Sequence, residues 1–559
     1  MKRKLRSNFD YGTSRWAVRR AQWRALGLTD EDMEKPKIAV VNSSSELSIC
    51  YSHLDGVAKV VKEAIRAAGG LPFEIRTMAP SDFITSAGRA ATYLLPSRDL
   101  IANDIEVAVQ GALLDGMVCL ASCDKTPPGQ LMAAARTDVP TIVVVCGYQP
   151  SGEYKGKHVD IEDVFLSAGH VLAGKLSAED LKGMSENAIR GPGVCSGMGT
   201  ANSMHSVCEA LGMTLPGAAP VAANSPKMFD DARRSGARIV EMIRDDIRPR
   251  AILTPGAFRN AAMTVLAVSG SINTIKHLQA VAVEAGTDAN VYEMFERLGE
   301  KVPVLAAVRP NGKYSIEEFE AAGGARAILK RLEPLLDTSV LTVTGRTLKE
   351  NLAKVKVADD DVIRPLDRPF SNKPAIVILH GSLAPDGAIV KLGLTEGRVQ
   401  KFAGKARVFE TPEASVQAVQ KGEIKPGDAL VLRNVGVRGG PGMGGASRTV
   451  FALDGMGLGA QVAVITDGQL SGLVNVGFVV GEVTPESAVG GPLALVENGD
   501  RITIDVEQRT IDLEVAPVEL ETRSAKLKPR PPTTDSGWLS IYERTVSPLS
   551  KGASLLGKR

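Results

Sequence analysis

Short β-branched runs alternate with helical patterns from about Lys37 to Pro310. KIAVVNSS, GMVCLASC and TIVVVCGY are apolar almost throughout, the pattern of strands buried on both faces. GVAKVVKEAIRAAGG, DLIANDIEVAVQGALL and AAMTVLAVSGSINTIKHLQAVAVEAG each read as helical. Such alternation predicts an α/β domain built on a parallel sheet. The charged, proline-bearing stretch LTVTGRTLKENLAKVKVADDDVIRPLDRPFSNKP breaks the pattern. It places a domain boundary near residue 370, giving an N-terminal domain 1–370 and a smaller C-terminal domain 371–559.

Beyond the boundary the texture changes to AIVIL, ARVFE, ALVLRNVGV, QVAVITDG, VGFVVGEV, LALVENGD and RITIDV, separated by Gly, Pro and Asp turns. Frequent short strands with few helices predict a β-barrel-like or sandwich domain rather than a second doubly wound sheet. The tail SGWLSIYERTVSPLSKGASLLGKR reads as a helix followed by a loose end. The basic N-terminus reads as a surface arm and a helix, and it lacks the apolar core and cleavage site of a secretory signal.

With 559 residues the chain exceeds one compact core, and its 44% apolar and 23% charged composition is ordinary for a globular protein. Lys and Arg number 66 against 64 Asp and Glu, without the long like-charge runs that mark nucleic-acid or membrane partners. No window approaches the ~18 apolar residues of a membrane span. The expectation is a cytoplasmic protein with a small-molecule substrate, no nucleic acid and no membrane.

Six cysteines are too few for a disulfide scaffold. Cys119 and Cys146 lie in apolar runs and Cys208 on an apparent helix, so packing explains them. Cys50, Cys123 and Cys195 instead adjoin polar, turn-like or Gly-rich segments. In SCDKTPPGQLMAAARTDVP a strand ends in Cys123-Asp124-Lys125 before a helix, and such turns are where parallel sheets bind ligands. A helix cap at Asp124, a buried Cys and a solvated Lys would account for the tripeptide equally well. Glycines bracket Cys195 and allow close approach of a bulky ligand, and Cys50 precedes a helix start. Three separated loop cysteines suit a cluster held by three thiolates. No tight CxxC pair of the kind a zinc site uses is present. GGPGMGG lacks the Lys-Ser/Thr of a phosphate loop, which excludes nucleotide binding on that motif.

The chain resembles the dehydratase family that includes dihydroxy-acid, phosphogluconate and aldonic (sugar) acid dehydratases. CDKTPPGQLMAA, CSGMGTANSM, EALGMTLPGAA, SGSINTIKHL, PNGKYSIEEFEAAGG, GSLAPDGAIVK, GGPGM, TDGQLSG and GGPLALVENGD carry the resemblance in order along nearly the whole chain. It implies that Cys50, Cys123 and Cys195 hold a 2Fe-2S cluster, or a 4Fe-4S cluster as in some members. It also implies that Asp82, Asp124 and Lys125, the lysine as a carbamate, surround Mg²⁺, which favours oxygen ligands. Ser471 in TDGQLSG matches the family's proposed base, although by itself it reads as a hydroxyl bonding its own turn.

Two departures from the family pattern fall in the C-terminal domain. Gly444 and Gly445 follow GGPGM where a Glu completes the metal shell, and Gln469 replaces an Arg near the substrate. Of the histidines, His53 is the one placed to contact cluster or substrate, whereas His205 and His277 read as core residues with satisfied hydrogen bonds. The resemblance implies a hydro-lyase converting a 2,3-dihydroxy acid to a 2-oxo acid, as a homodimer or homotetramer. A sugar-acid dehydratase is the alternative substrate assignment, and a non-catalytic iron–sulfur protein the rival from another class.

Overall fold

The computed structural model describes residues 5–88, 91–392, 394, 400–470, 477–528 and 530–555. Strands β1 (Lys37–Asn42), β2 (Leu71–Arg76), β3 (Gly116–Ala121) and β4 (Thr141–Val145) form a parallel sheet in the order β2-β1-β3-β4. Every residue of β1, β3 and β4 is buried, as their unbroken apolar runs require. β2, read from LPFEIR, escaped the sequence reading because it is an edge strand with a half-exposed polar end. A small hairpin, β5 (Gly152–Tyr154) and β6 (Lys157–Val159), follows this sheet.

The stretch read as one helix from Ala261 to Gly286 is two, Pro255–Ala267 and Asn273–Ala285. Ser269 takes a positive φ of 47° and the Ser271 N–H donates to Ser203 Oγ at 2.9 Å. Side-chain hydroxyls thus compete for the backbone and end the first helix. The break brings Asn273 to a cavity described below.

The second sheet has eight strands: β7 (Ile376–Leu379), β8 (Gly387–Lys391), β9 (Lys401–Phe409), β10 (Asp428–Leu432), β11 (Ala463–Thr466), β12 (Phe478–Thr484), β13 (Arg501–Asp505) and β14 (Thr510–Leu513). Their order is β14-β13-β9-β10-β11-β12-β8-β7. A bridge between His380 and Thr510 joins the two ends, with the Ile511 N–H donating to the His380 carbonyl at 2.9 Å. The sheet is therefore nearly closed and barrel-like.

It differs from the expected barrel in its centre, where β9, β10, β11 and β12 run parallel. Helices Pro412–Gln420 and Ala446–Gly455 make the crossovers that parallel neighbours need. LALVENGD is not a strand, since Pro492 opens a 3₁₀ turn over Pro492–Leu495. The tail is not loose through its last described residues: Ala553 is fully buried and its carbonyl accepts from Arg98 at 2.7 Å. The N-terminal helix Ser14–Ala25 buries none of its residues, as expected of a surface element. Among the described residues no helix is long and apolar enough to cross a membrane.

One buried ion pair links residues of the first part to the second sheet. Lys276 Nζ lies 2.5 Å from Glu482 Oε1, and neither side chain is exposed. Glu482 sits at positive φ where the register between β12 and β8 shifts, a bulge that turns its carboxylate inward. Removing one partner strands a buried charge. Lys276→Met or Glu482→Leu alone should each cost about 3–5 kcal/mol, and the double variant should recover most of it. Equilibrium unfolding of the three variants checks this, and additive losses would contradict it.

Candidate active site

β3 ends in Ser122-Cys123-Asp124-Lys125, which runs directly into helix Thr126–Thr137 with prolines in its first turn. Lys125 occupies the cap position without a side-chain cap bond, so Asp124 is free of the capping role. Nor is the lysine solvated. Its side chain is 0% exposed, with Nζ 2.9 Å from Asp82 Oδ2 and 3.9 Å from Asp124 Oδ2. Asp82 opens the short helix Asp82–Thr85 after β2. Ligand atoms of Asp82, Cys123 and Asp124 all fall within 4.8 Å of one another.

The three singled-out cysteines meet here as free thiols. The thiols of Cys50 and Cys123 hydrogen-bond each other, and the Cys50 carbonyl accepts from Ser122 Oγ at 2.6 Å. Cys195 comes from a loop beside β4, pinned by the Val194 N–H to the Gly147 carbonyl at 3.0 Å. Asn202, on helix Thr200–Ala210, donates through Nδ2 to the carbonyls of Cys195 and Gly197, each at 2.8 Å. A Cβ on Gly197 would lie 2.1 Å from Glu162 Oε1, so a side chain there would have to displace that carboxylate.

Electrostatics separate these cysteines from the rest. The hydrogen bond from Cys123, helped by Ser48 and Ser81 against the opposing burial, lowers the Cys50 thiol to about 7. The same contact, together with burial and nearby carboxylates, pushes Cys123 well up. Cys195 is pushed up first by burial and then by Cys50 and Asp124. Burial and Asp82 raise the Asp124 carboxyl to about 8 despite Lys125. Burial would depress Lys125, but Asp82 and Asp124 hold it above the ordinary lysine value. Cys119, Cys146 and Cys208 are fully buried and raised by burial, consistent with packing. Three thiols and two carboxylates thus converge on one ammonium, which leaves the group short of cations.

A cavity of about 400 Å³ opens on this group, within the usual range of ligand sites. Asp82, Cys123, Asp124 and Cys195 line it, as do Gly444, Gly445, Arg448 and Gln469 from the second sheet's connections. The Asp467 carboxylate after β11 accepts from the Val435 N–H at 2.9 Å, and the Gln469 N–H donates to the Met443 carbonyl at 2.9 Å. These bonds hold the two Gly-rich turns together at the cavity. Ser471 lies outside the described residues.

His53 is not among the residues lining the cavity, and its Nε2 pairs with the Cys146 carbonyl at 2.7 Å. His205 and His277 are core residues, but each bonds through one ring nitrogen and leaves the other unpaired, so only half of the expected satisfaction holds. A second acidic cluster, His158, Asp160 and Asp163, is accounted for by capping helix Ile161–Leu172 and pairing with Arg309. Asn202, Asn273, Phe83 and Phe165 line the cavity without having been singled out in the sequence. Asn202 carried a signal there, an amide seven positions after Cys195 at the start of a helix.

Asn202→Asp removes the donor that bridges two carbonyls and puts negative charge against them. If the cluster that the resemblance implies is held here, iron retained per chain should fall with the fold intact by circular dichroism, and undiminished iron would contradict this.

Residues 35–351 match the family model described as dihydroxy-acid/6-phosphogluconate dehydratase N-terminal, and residues 361–553 match its C-terminal counterpart. Curated relatives named dihydroxy-acid dehydratase include one from Ignicoccus hospitalis, 42% identical over 97% of this chain and 98% of the relative. One from Sulfurisphaera tokodaii is 41% identical over 99% of both chains. Another, from Pyrococcus abyssi, is 42% identical over 96% of this chain and 97% of the relative. With two thiols and two carboxylates on one cavity and both family models matching the chain around it, the chain belongs to the dihydroxy-acid/6-phosphogluconate dehydratase family, a family of hydro-lyases.

Proposed function

We propose that the chain removes water from a 2,3-dihydroxy carboxylic acid to give a 2-oxo acid, as its relatives' name describes for them. One observation supports the reading: Cys123, Cys195, Asp82 and Asp124 share one cavity, with Cys50 beside Cys123 and the buried Lys125 against the two carboxylates behind its wall. The donor set fits both groups the family implies. Soft thiols suit an iron–sulfur cluster, and carboxylates suit Mg²⁺. The Lys125 ammonium stands where a cation would be welcome, and as a carbamate the same side chain would become an oxygen ligand. Bound there, cluster iron and Mg²⁺ supply Lewis acidity toward the leaving hydroxyl and the charge that builds next to the carboxylate.

The protein's own groups do the rest. Asp82 and Asp124 fix Lys125 Nζ, and Asn202 fixes the Cys195 loop. Cavity walls from both sheets limit water around the reacting carbons. Ser471 Oγ takes the C2 proton in this proposal. The serine acts as its alkoxide; the C3–O bond breaks as the C2–H bond does, the proton the serine took passes to the departing hydroxide to release water, and the resulting enol becomes the 2-oxo acid.

Anaerobically reconstituted protein should form 2-oxo acid from a dihydroxy-acid panel, and chelation should stop turnover without bleaching until Mg²⁺ is returned. Cys123→Ser should lose iron and activity while Cys119→Ser keeps both. The reverse pattern, or full turnover by metal-stripped protein, would overturn the assignment.

A further inference from the structure

The turn that carries Gly444 and Gly445 to the cavity is fastened by a buried carboxyl that the chemistry above does not use. Glu486 follows β12 and is 7% exposed. It accepts from the Arg438 N–H at 3.0 Å through Oε1 and 3.1 Å through Oε2, and the Gly439 N–H also bonds to it. Successive N–H groups of a turn form this kind of concavity for an acidic group. The approach is so close that a Cβ on Gly436 would stand 1.8 Å from Oε2. The Arg438 guanidinium turns instead to the Val546 carbonyl at 3.2 Å. Burial, and then Asp467, push the Glu486 carboxyl up to about 8. An acid buried beside another acid is unfavourable unless hydrogen bonds offset it, and here those bonds go to the turn.

Beyond Gly439 the chain has little room to absorb a shift. The Gly440 N–H donates to the Gly436 carbonyl at 2.8 Å and the Met443 N–H to the Gly440 carbonyl at 2.6 Å. The turn then presses on the first part of the molecule. A Cβ on Gly442 would lie 1.7 Å from the Ala91 carbonyl oxygen, and one on Gly444 would meet the Ala91 Cβ at 2.4 Å. Ala91, Gly444 and Gly445 all line the cavity. We propose that Glu486 is a positioning residue of the active site, its carboxyl oxygens holding the N–H groups at Arg438 and Gly439 and so setting how closely the Gly-rich turn walls the cavity. The effect on turnover rests on the dehydratase reading above, whereas the hold on the turn does not.

Glu486→Met keeps the length and the buried bulk but removes both acceptors. Backbone amide exchange of the full chain should quicken by about 10-fold or more across residues 436–445 and stay unchanged in β1, β3 and β4. In the reconstituted, Mg²⁺-loaded protein, KM for a dihydroxy acid that the unsubstituted protein turns over should rise by about 10-fold, with kcat much less affected and iron content unchanged. A merely structural role would quicken exchange throughout the chain or leave KM where it was. Exchange that is unchanged in the turn, exchange that quickens everywhere, or an unaltered KM overturns the proposal. Should Glu486→Met fail to fold, Gly436→Ala, whose Cβ displaces the carboxylate, takes its place with the same outcomes. If the unsubstituted protein makes no 2-oxo acid from the panel, the dehydratase reading falls, and the exchange comparison by itself decides whether Glu486 positions the cavity wall.

Discussion

A fully buried lysine held between two carboxylates is the constraint on which the site depends. Lys125 sits where β3 gives way to a helix, so its backbone cannot move without disturbing the most buried strands of the parallel sheet. Its ammonium is too little for its surroundings: Asp124 is held up near 8 by burial and Asp82, and two of the three thiols are pushed up as well. A folded protein pays for such crowding in stability, which is reasonable only where added cations relieve it.

The two sheets divide the work. The parallel sheet's loops carry the thiols and carboxylates, while the barrel-like sheet supplies the Gly-rich turn and Gln469. Asp467 and the Lys276–Glu482 pair lock that second wall in place. Backbone geometry also explains one departure from the family pattern. At Gly445 the chain takes a left-handed conformation that side chains rarely adopt, so a glutamate would be strained there unless the turn changed with it.

Much of this was legible in the sequence because it rests on local signals. Continuous apolar runs located β1, β3 and β4, and the placement of Cys50, Cys123 and Cys195 on loops distinguished them from the packing cysteines. What escaped depends on distant partners. β2 is defined by pairing with β1, and the helix break at Ser269 by a hydroxyl 66 residues earlier at Ser203. The parallel centre of the second sheet was hidden because its crossover helices are short and lie among turn-rich segments. Asn202 had only its place seven positions after Cys195 to mark it, and its role appears once its amide is seen on the Cys195 loop.

The central claim is that the cysteine group and the Asp82-Asp124-Lys125 group act on one bound acid. Iron Mössbauer spectra of anaerobic, Mg²⁺-loaded protein, recorded with and without a dihydroxy acid that it turns over, test this most directly. The account predicts that the acid alters the signal of part of the iron, and that Lys125→Met keeps the iron but loses the change. Identical spectra with and without the acid would contradict it.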